Sequence, residues 1–576
     1  METKDSQSGV NLEESLMTLI SNQVLETPVD FSPETNLYET GLDSMAIMQL
    51  LLALEEEFSI ALPVETVSRK NFSSVRSIAQ LLRSKFAGKA IPEVPPSESF
   101  APCLAASRSG NGASIAVSPG QAESEPETLA WLPLRSCDYF VLSFDGLSRR
   151  TGQGGHRASS FLILDRVPDV ADLRARLELA ARRFPMLSAR LLRKGFFGSS
   201  GWTTARKPVV PELVLFSEEN SPGTLLAGGA QICRHAHDVM EDAVNTPLPR
   251  PQTDFWAKAR FTLIEIRSGG AVLIFSWNHL MIDGVGAELF LEELEDIGSG
   301  SSGRVAVTQF AEDADGPEPG WRERCLASRP IVNRFRELVK KPFACLGPRR
   351  PAAGRTHFAV HTLTVAETDA VHERCAQLCG ALVTMPFYLA CVMRAHDRIF
   401  ARRGLTPESH VCSVPVQVRR KGSRGPLFQN YLTMFFGALE RKDLGTLEAA
   451  VASLMDQHAR FIRERLGESL NDLMHAMSPI PSWLYMTFIS LQMKGPFASF
   501  FHSHTGEFAV GLDRFLGAEI VNAFHVPGVP TPPGTGIFCN EKNGKLVLTT
   551  CWHETVLNDA ERELMMNQLL QDLGVA

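Results

Sequence analysis

Two stretches of the chain hold side chains whose types and spacing suit acyl chemistry. In FSWNHLMIDGVGAELFL (275–291), His279, Asp283 and Gly284 form a His-x3-Asp-Gly motif. The motif falls where a buried-strand pattern ends and a helical pattern begins, which lets the imidazole project into a cleft. A neutral imidazole has a pKa of about 6.5, so it accepts a proton near neutral pH. His279 can therefore take the proton of an alcohol or amine as that group attacks a carbonyl. Backbone N–H groups around Gly284 can stabilise the oxyanion that forms, and a glycine there permits close backbone approach. The second stretch is ETGLDSMAIMQLLLALEEEFSIALP (39–63), where Ser44 opens an apolar helical run. A serine at a helix start is exposed, and the helix N-terminus favours a phosphate diester. Asp43 or Ser44 also suits a simple helix cap, and an isolated His-x3-Asp suits a buried core histidine, so the surroundings of each motif decide between the readings.

The elements that must position these residues fall into three stretches. Residues 8–88 read as a small helical unit. Leu12, Leu16, Leu19 and Ile20 recur at helical spacing, Pro28 and Pro33 mark a loop, and Met45, Ile47, Met48, Leu51, Leu52, Leu54 and Phe58 follow Ser44. A last helix carries Val75, Ile78, Leu81 and Leu82 on one face. Residues 1–88 have 6 Lys and Arg against 13 Asp and Glu, so nearly all of the chain's net charge of −8 lies in them. That is the profile of a small acidic module that docks on basic partner surfaces. Residues 89–128 are rich in Pro, Ser, Gly and Glu and poor in large apolar residues, as a linker is. A flexible coil of that length has an end-to-end distance of roughly 35 Å.

From residue 129 to 576 the composition is globular, with strand patterns alternating with amphipathic helices. SFLILD (160–165) reads as a strand and VADLRARLELAARRF (170–184) as a helix. ARFTLIEI (259–266) and AVLIFSW (271–277) read as a hairpin about Ser268-Gly269-Gly270, and a helix follows at 286–297. A first lobe is expected at about 129–300 and a second at about 355–576. The second carries a helix near 383–403 and strands at 410–419 and 545–553.

The stretch 39–63, with GLDS opening a helix, then LEEEF and an apolar-Pro stop, resembles the acyl and peptidyl carrier proteins. That resemblance implies an all-α four-helix bundle with 4′-phosphopantetheine covalently attached to Ser44. Residues 129–576 resemble the condensation domains of nonribosomal peptide synthetases and their chloramphenicol acetyltransferase-like relatives, which share an α/β fold of two lobes with a tunnel between them. The resemblance rests on the motif at 279–284, LAARRFPMLSARL (179–191), PLPRPQTDFWAKARFTLIE (247–265), VPVQVRR (414–420) and the segments from HTGEF (504–508) to NGKLVL (543–548). It implies that His279 is catalytic, that Asp283 pairs with an arginine, of which Arg419 is the best candidate, and that Thr505 approaches the acyl chain. Those domains usually carry two histidines before the xxxDG; here Asn278 stands in the first place, beside the expected tunnel.

The expected activity is transfer of a phosphopantetheine-bound acyl or aminoacyl group to an amine or hydroxyl, as in nonribosomal peptide or polyketide biosynthesis. The alternatives are a wax-ester-synthase-like O-acyltransferase, an epimerization domain or a recruiting module without catalysis. The glutamate motif of epimerization domains is not recognisable, and the intact His279 and Asp283 speak against a recruiting role. No adenylation, ketosynthase or thioesterase segment is visible. The expected partners are therefore a phosphopantetheinyl transferase and a loading enzyme acting in trans, with a small molecule or second carrier as acceptor.

The composition, 44% hydrophobic and 21% charged, is that of a soluble globular protein, and the negative charge excludes a general nucleic-acid binder. The stretch 480–493 is too short to span a bilayer, so no stable membrane insertion is expected. The 11 cysteines include no CxxC, and His502, His504 and His553 lack ligand spacing, so no metal site or disulfide framework is expected. With no apolar leader segment visible, the expected location is the cytoplasm.

Overall fold

The computed structural model describes most of residues 4–85 and 131–575. Residues 59–69, 86–130, 249–257, 298–306, 311–318 and several shorter stretches lie outside the described residues. In the first part, helices α1 (Lys4–Gln23), α2 (Ser44–Phe58) and α3 (Val75–Lys85) pack together. Their shared core holds Leu16, Ile20, Ile47, Leu50, Leu54, Phe72, Ile78 and Leu82, all fully buried. Each helix buries one stripe because its apolar residues recur every three or four positions. Three helices of the expected four-helix bundle are thus described, and the expected linker at 89–128 lies outside the described residues.

Beyond residue 131 the chain builds an α/β fold of two sheets. The first half contains α4 (Ser136–Arg150), β1 (Arg157–Leu164), α5 (Val170–Arg183), β2 (Glu212–Glu218), β3 (Gln231–Cys233), α6 (Ala236–Asn245), β4 (Ala259–Glu265), β5 (Ala271–Asn278) and α7 (Gly284–Asp296). Asp169 begins α5 by accepting the Ala171 N–H at 2.8 Å. Every residue of β4 and β5 is buried. Strands covered on both faces need such continuous apolar sequence. Their hairpin turns through Gly269 and Gly270, both at positive φ.

The second half contains β6 (Thr356–Thr362), α8 (Met385–Arg402), β7 (Ser409–Gln417), β8 (Leu432–Glu440), β9 (Phe500–Glu507), β10 (Arg514–Phe515), β11 (Ala518–Pro527), β12 (Thr535–Lys542), β13 (Lys545–His553) and α9 (Asp559–Leu573). Six of its strands form one sheet in the order β8-β7-β9-β12-β13-β6. The other two cross over. The first sheet runs β10-β11-β1-β5-β4-β2-β3, with β11 antiparallel to β1 from Ile520 opposite Leu164 to Pro527 opposite Ala158.

Residues 514–527 therefore belong to the first lobe's sheet, and a linear division at 355–576 does not hold for them. Burial explains the crossing. Ile520, Ala523, Phe524 and Val526 are buried, and Phe524 stacks on Phe161 with centroids 4.9 Å apart. An apolar cluster that includes Phe161, Ile274 and Phe524 on this sheet and Phe358, Phe538 and Val547 on the other joins the two lobes. His525 adds a polar fastening: its Nε2 lies 2.7 Å from Glu288 of α7, and its Nδ1 3.0 Å from the Ser160 hydroxyl. Among the described residues no helix is long and apolar enough to cross a membrane.

Candidate active site

The site forms where β5 ends and α7 begins, against the segment between β7 and β8. The Asn278 side chain accepts the Leu280 N–H at 3.0 Å, and the Met281 N–H donates to the Asn278 carbonyl at 3.0 Å. Asn278 thus folds the turn that follows the strand, a task asparagine performs well because its amide mimics a backbone turn. Along 271–294 all positions are buried except His279, Gly284 and Val285. The three half-buried positions are His279 and the first turn of a helix.

Asp283 caps that helix and ties the lobes together. Its Oδ1 accepts the Gly286 N–H at 2.8 Å, and its Oδ2 accepts Arg419 Nη1 at 2.6 Å and the Tyr431 N–H at 2.9 Å. The Asp283 and Arg419 side chains are 1% and 3% exposed. A carboxylate so occupied is structural and is not available as a base. Arg419 also donates to the Pro426 carbonyl at 2.9 Å and packs against the Tyr431 ring. A Cβ on Gly284 would meet nothing within 4 Å, whereas one on Gly286 would run into the Leu427 carbonyl oxygen and the Ile282 side chain. The glycine that packing demands is Gly286, two residues beyond the motif.

His279 is oriented by residues that the sequence does not single out. Its backbone N–H donates to the His156 carbonyl at 3.0 Å. Its Nδ1 lies 3.2 Å from Asn430 Oδ1. The Asn430 amide nitrogen donates to Asp138 Oδ1 at 2.9 Å and to the His279 carbonyl at 3.0 Å. With the NH2 committed to those acceptors, the amide oxygen must accept, so Nδ1 carries the proton and Nε2 keeps its lone pair. Asp138, on α4, also accepts the Asn430 N–H at 3.1 Å and the Arg135 N–H at 2.8 Å. Burial pushes its carboxyl up to about 6 against the pull of those hydrogen bonds. Burial also holds the His279 imidazole below its usual range, opposed by the nearby Asp283 charge and the Asn430 bond. The His156 ring stacks on His279 with centroids 5.1 Å apart and planes 13° from parallel. Asn430, Asp138 and His156 lie 151, 141 and 123 positions from His279, and no local spacing connects them.

The other expected residues lie apart. Thr505 is exposed, in a stretch where the register of β9 against β12 shifts, and no described contact joins it to His279. His502 bonds the Ile537 carbonyl at 2.8 Å, His504 stacks on Tyr388, and His553 bonds the Thr555 hydroxyl at 2.8 Å. These are contacts of the second sheet. No cluster of metal ligands occurs among the described residues. Ser44 opens α2, a 15-residue helix whose N-terminus suits a phosphodiester; its side chain lies outside the described residues.

Geometry and comparison agree on the class of protein, a carrier joined to a two-lobed condensation-type fold. Residues 14–82 match the family model of the phosphopantetheine attachment site. The chain is 41% identical over 66 residues to the aminoacyl carrier protein of Agrobacterium fabrum, which covers 11% of this chain and 80% of the relative. Aminoacyl carrier protein 2 of Bradyrhizobium diazoefficiens is 26% identical over 77 residues, covering 13% and 86%. Through this segment the chain belongs to the aminoacyl carrier proteins, and 4′-phosphopantetheine is its covalent cofactor.

The remainder shares its fold with the first condensation domain of the calcium-dependent antibiotic synthetase (TM-score 0.55, 16% identity, 78% of this chain and 98% of that one). The condensation domain of the Monacolin K polyketide synthase MokA gives 0.54 at 13% identity, covering 78% and 97%. The TRI3 trichothecene 15-O-acetyltransferase of Fusarium sporotrichioides gives 0.54 at 13% identity, covering 77% and 95%.

Proposed function

We propose that this protein transfers an aminoacyl group from a carrier arm on Ser44 to an amine or hydroxyl acceptor held at His279. The single observation that carries the reading is the locked Asn430 amide, which leaves His279 Nε2 unprotonated in an otherwise buried run that opens only at His279, Gly284 and Val285. The aminoacyl class is supported by the carrier relatives, and the transfer by the fold shared with condensation domains and an acetyltransferase. The cofactor supplies a thiol that presents the group as a thioester on a long arm.

His279 Nε2 takes the acceptor's proton as the new C–N or C–O bond forms, and gives it to the sulfur as the C–S bond breaks. The first-turn N–H groups of Gly284 and Val285 have no partner within α7 and face the carbonyl oxygen as it gains charge. Asp283 and Arg419 hold that turn against the second lobe, and Asp138 holds Asn430. Loading by a trans-acting enzyme and modification by a phosphopantetheinyl transferase complete the scheme.

The test follows the loaded, pantetheinylated full chain by intact mass while acceptors are added. His279→Ala should keep its aminoacyl mass and lose transfer by roughly 10²- to 10⁴-fold. Transfer by His279→Ala at the unmodified rate overturns the reading. Exchange of the α-proton in deuterated water without a new bond would assign epimerization instead.

A further inference from the structure

On the His156 side of the active site lies a small, partly open pocket of mixed polar and apolar lining that transfer does not use. It measures about 20 Å³ and its lining includes Ser148, His156, Arg157, Ser159, Asn245 and Thr356. A space of that size holds one water-sized species. Gly528 also lines it, and a Cβ there would meet the Arg157 carbonyl oxygen at 2.7 Å and His156 Nδ1 at 3.2 Å.

Arg157 is 9% exposed. Its Nη2 donates to the Val244 and Asn245 carbonyls at 3.0 and 3.1 Å. Its Nε and Nη1, and His156 Nδ1, are buried with no hydrogen-bond partner among the described residues. Among the described residues the charges around it do not balance. Asp145 is engaged by Arg149 at 2.5 Å and by the His156 N–H at 3.0 Å, and Glu212 pairs with Arg260 at 2.7 Å. Lys258 is buried beside Arg149 and adds no negative charge. Among the described residues Arg149, Arg157 and Arg260 thus face two carboxylates, and Arg157 is the guanidinium without an ion pair among them. A buried cation in that position is unfavourable until an anion joins it.

We infer that this cavity binds a small monovalent anion of halide size, held by Arg157 Nε and Nη1 and by the His156 Nδ1–H. The volume fits chloride or bromide. Burial and the neighbouring His279 hold the His156 imidazole well below its usual range, so it donates as the neutral ring. The bound anion fixes the ring that stacks on His279. Occupancy of the site does not depend on the proposed transfer.

The experiment uses the full chain. Crystals grown in bromide should show an anomalous peak between Arg157 and His156. The melting temperature should rise by a few degrees in chloride or bromide over gluconate at equal ionic strength, as expected for a ligand that binds only the folded state. Arg157→Met should abolish the halide increment. Gly528→Ala, which narrows the cavity from the opposite side, should do the same if Arg157→Met fails to fold. Water alone in the cavity, a melting temperature indifferent to halide, or a bromide peak without a halide increment (an adventitious ion only) each overturns the inference.

Discussion

At the scale of single residues, the working parts of the site differ in how far charge may settle on them. In the proposed transfer His279 must remain neutral to accept a proton, and burial favours that state. Asp138 must remain ionised to receive two donors from Asn430 and one from Arg135, and burial opposes that state, raising its carboxyl to about 6. Above pH 6 the carboxylate accepts all three donors and the Asn430 amide is fixed. As pH falls through 6 the carboxyl takes a proton, one acceptor position is lost, and the hold on His279 Nδ1 loosens. Transfer should therefore show an acid limb with an inflection near 6, measured as kcat against pH with the loaded carrier. Asp138→Asn should lower kcat on the order of ten- to hundred-fold with little change in acceptor KM, since misplacement of a catalytic group costs that much. Its residual rate should lack the inflection; an inflection that persists in Asp138→Asn removes Asp138 from the relay.

At the scale of elements, the site is a junction of five chain segments: the end of β5, the start of α7, the first turn of α4, His156 just before β1, and the stretch between β7 and β8. The local parts of that junction are legible in the sequence. The continuous apolar run of β5, the hairpin glycines and the acidic cap of α7 are each set by neighbours in the chain. The partners across the junction are not. Asp138 and Asn430 meet His279 only because α4 and the second lobe fold against β5, and no periodicity encodes such a meeting. Likewise the alternating pattern of β11 announces a strand without saying which sheet it joins; Phe524 stacking on Phe161 settles that by packing. The family resemblance, by contrast, names Arg419 as the partner of Asp283, and the two stand 2.6 Å apart. Because both charges are buried, Arg419→Met should destabilise the protein by about 3–5 kcal/mol in denaturant unfolding. Replacing both, as Asp283→Leu with Arg419→Met, should cost less than the sum of the single changes. Additive costs would mean that the pair does not join the lobes.

At the scale of the whole molecule, the carrier and the two-lobed domain share one polypeptide, so in the proposed transfer the arm would meet the imidazole at an effective concentration set by the chain between them. Covalent joining of two partners typically gives values in the millimolar range, above the concentration of separate molecules in an assay. Transfer within one chain should then be independent of protein concentration. Two inactive variants separate that case from exchange between chains. On the proposed reading, Ser44→Ala keeps His279 but is not pantetheinylated, and His279→Ala loads but transfers far more slowly. Mixed together, loaded His279→Ala should deliver its aminoacyl group to the domain of Ser44→Ala only slowly, with a rate that rises in proportion to the Ser44→Ala concentration. Unmodified chain at the same dilution should show a constant rate per molecule. If the mixture matches the unmodified chain at micromolar protein, the tether gives no advantage, and the carrier's own domain is only one of several acceptor sites it visits. If the mixture stays inactive while the unmodified chain works, delivery requires the covalent connection, and residues 89–128 constrain the arm as well as joining it.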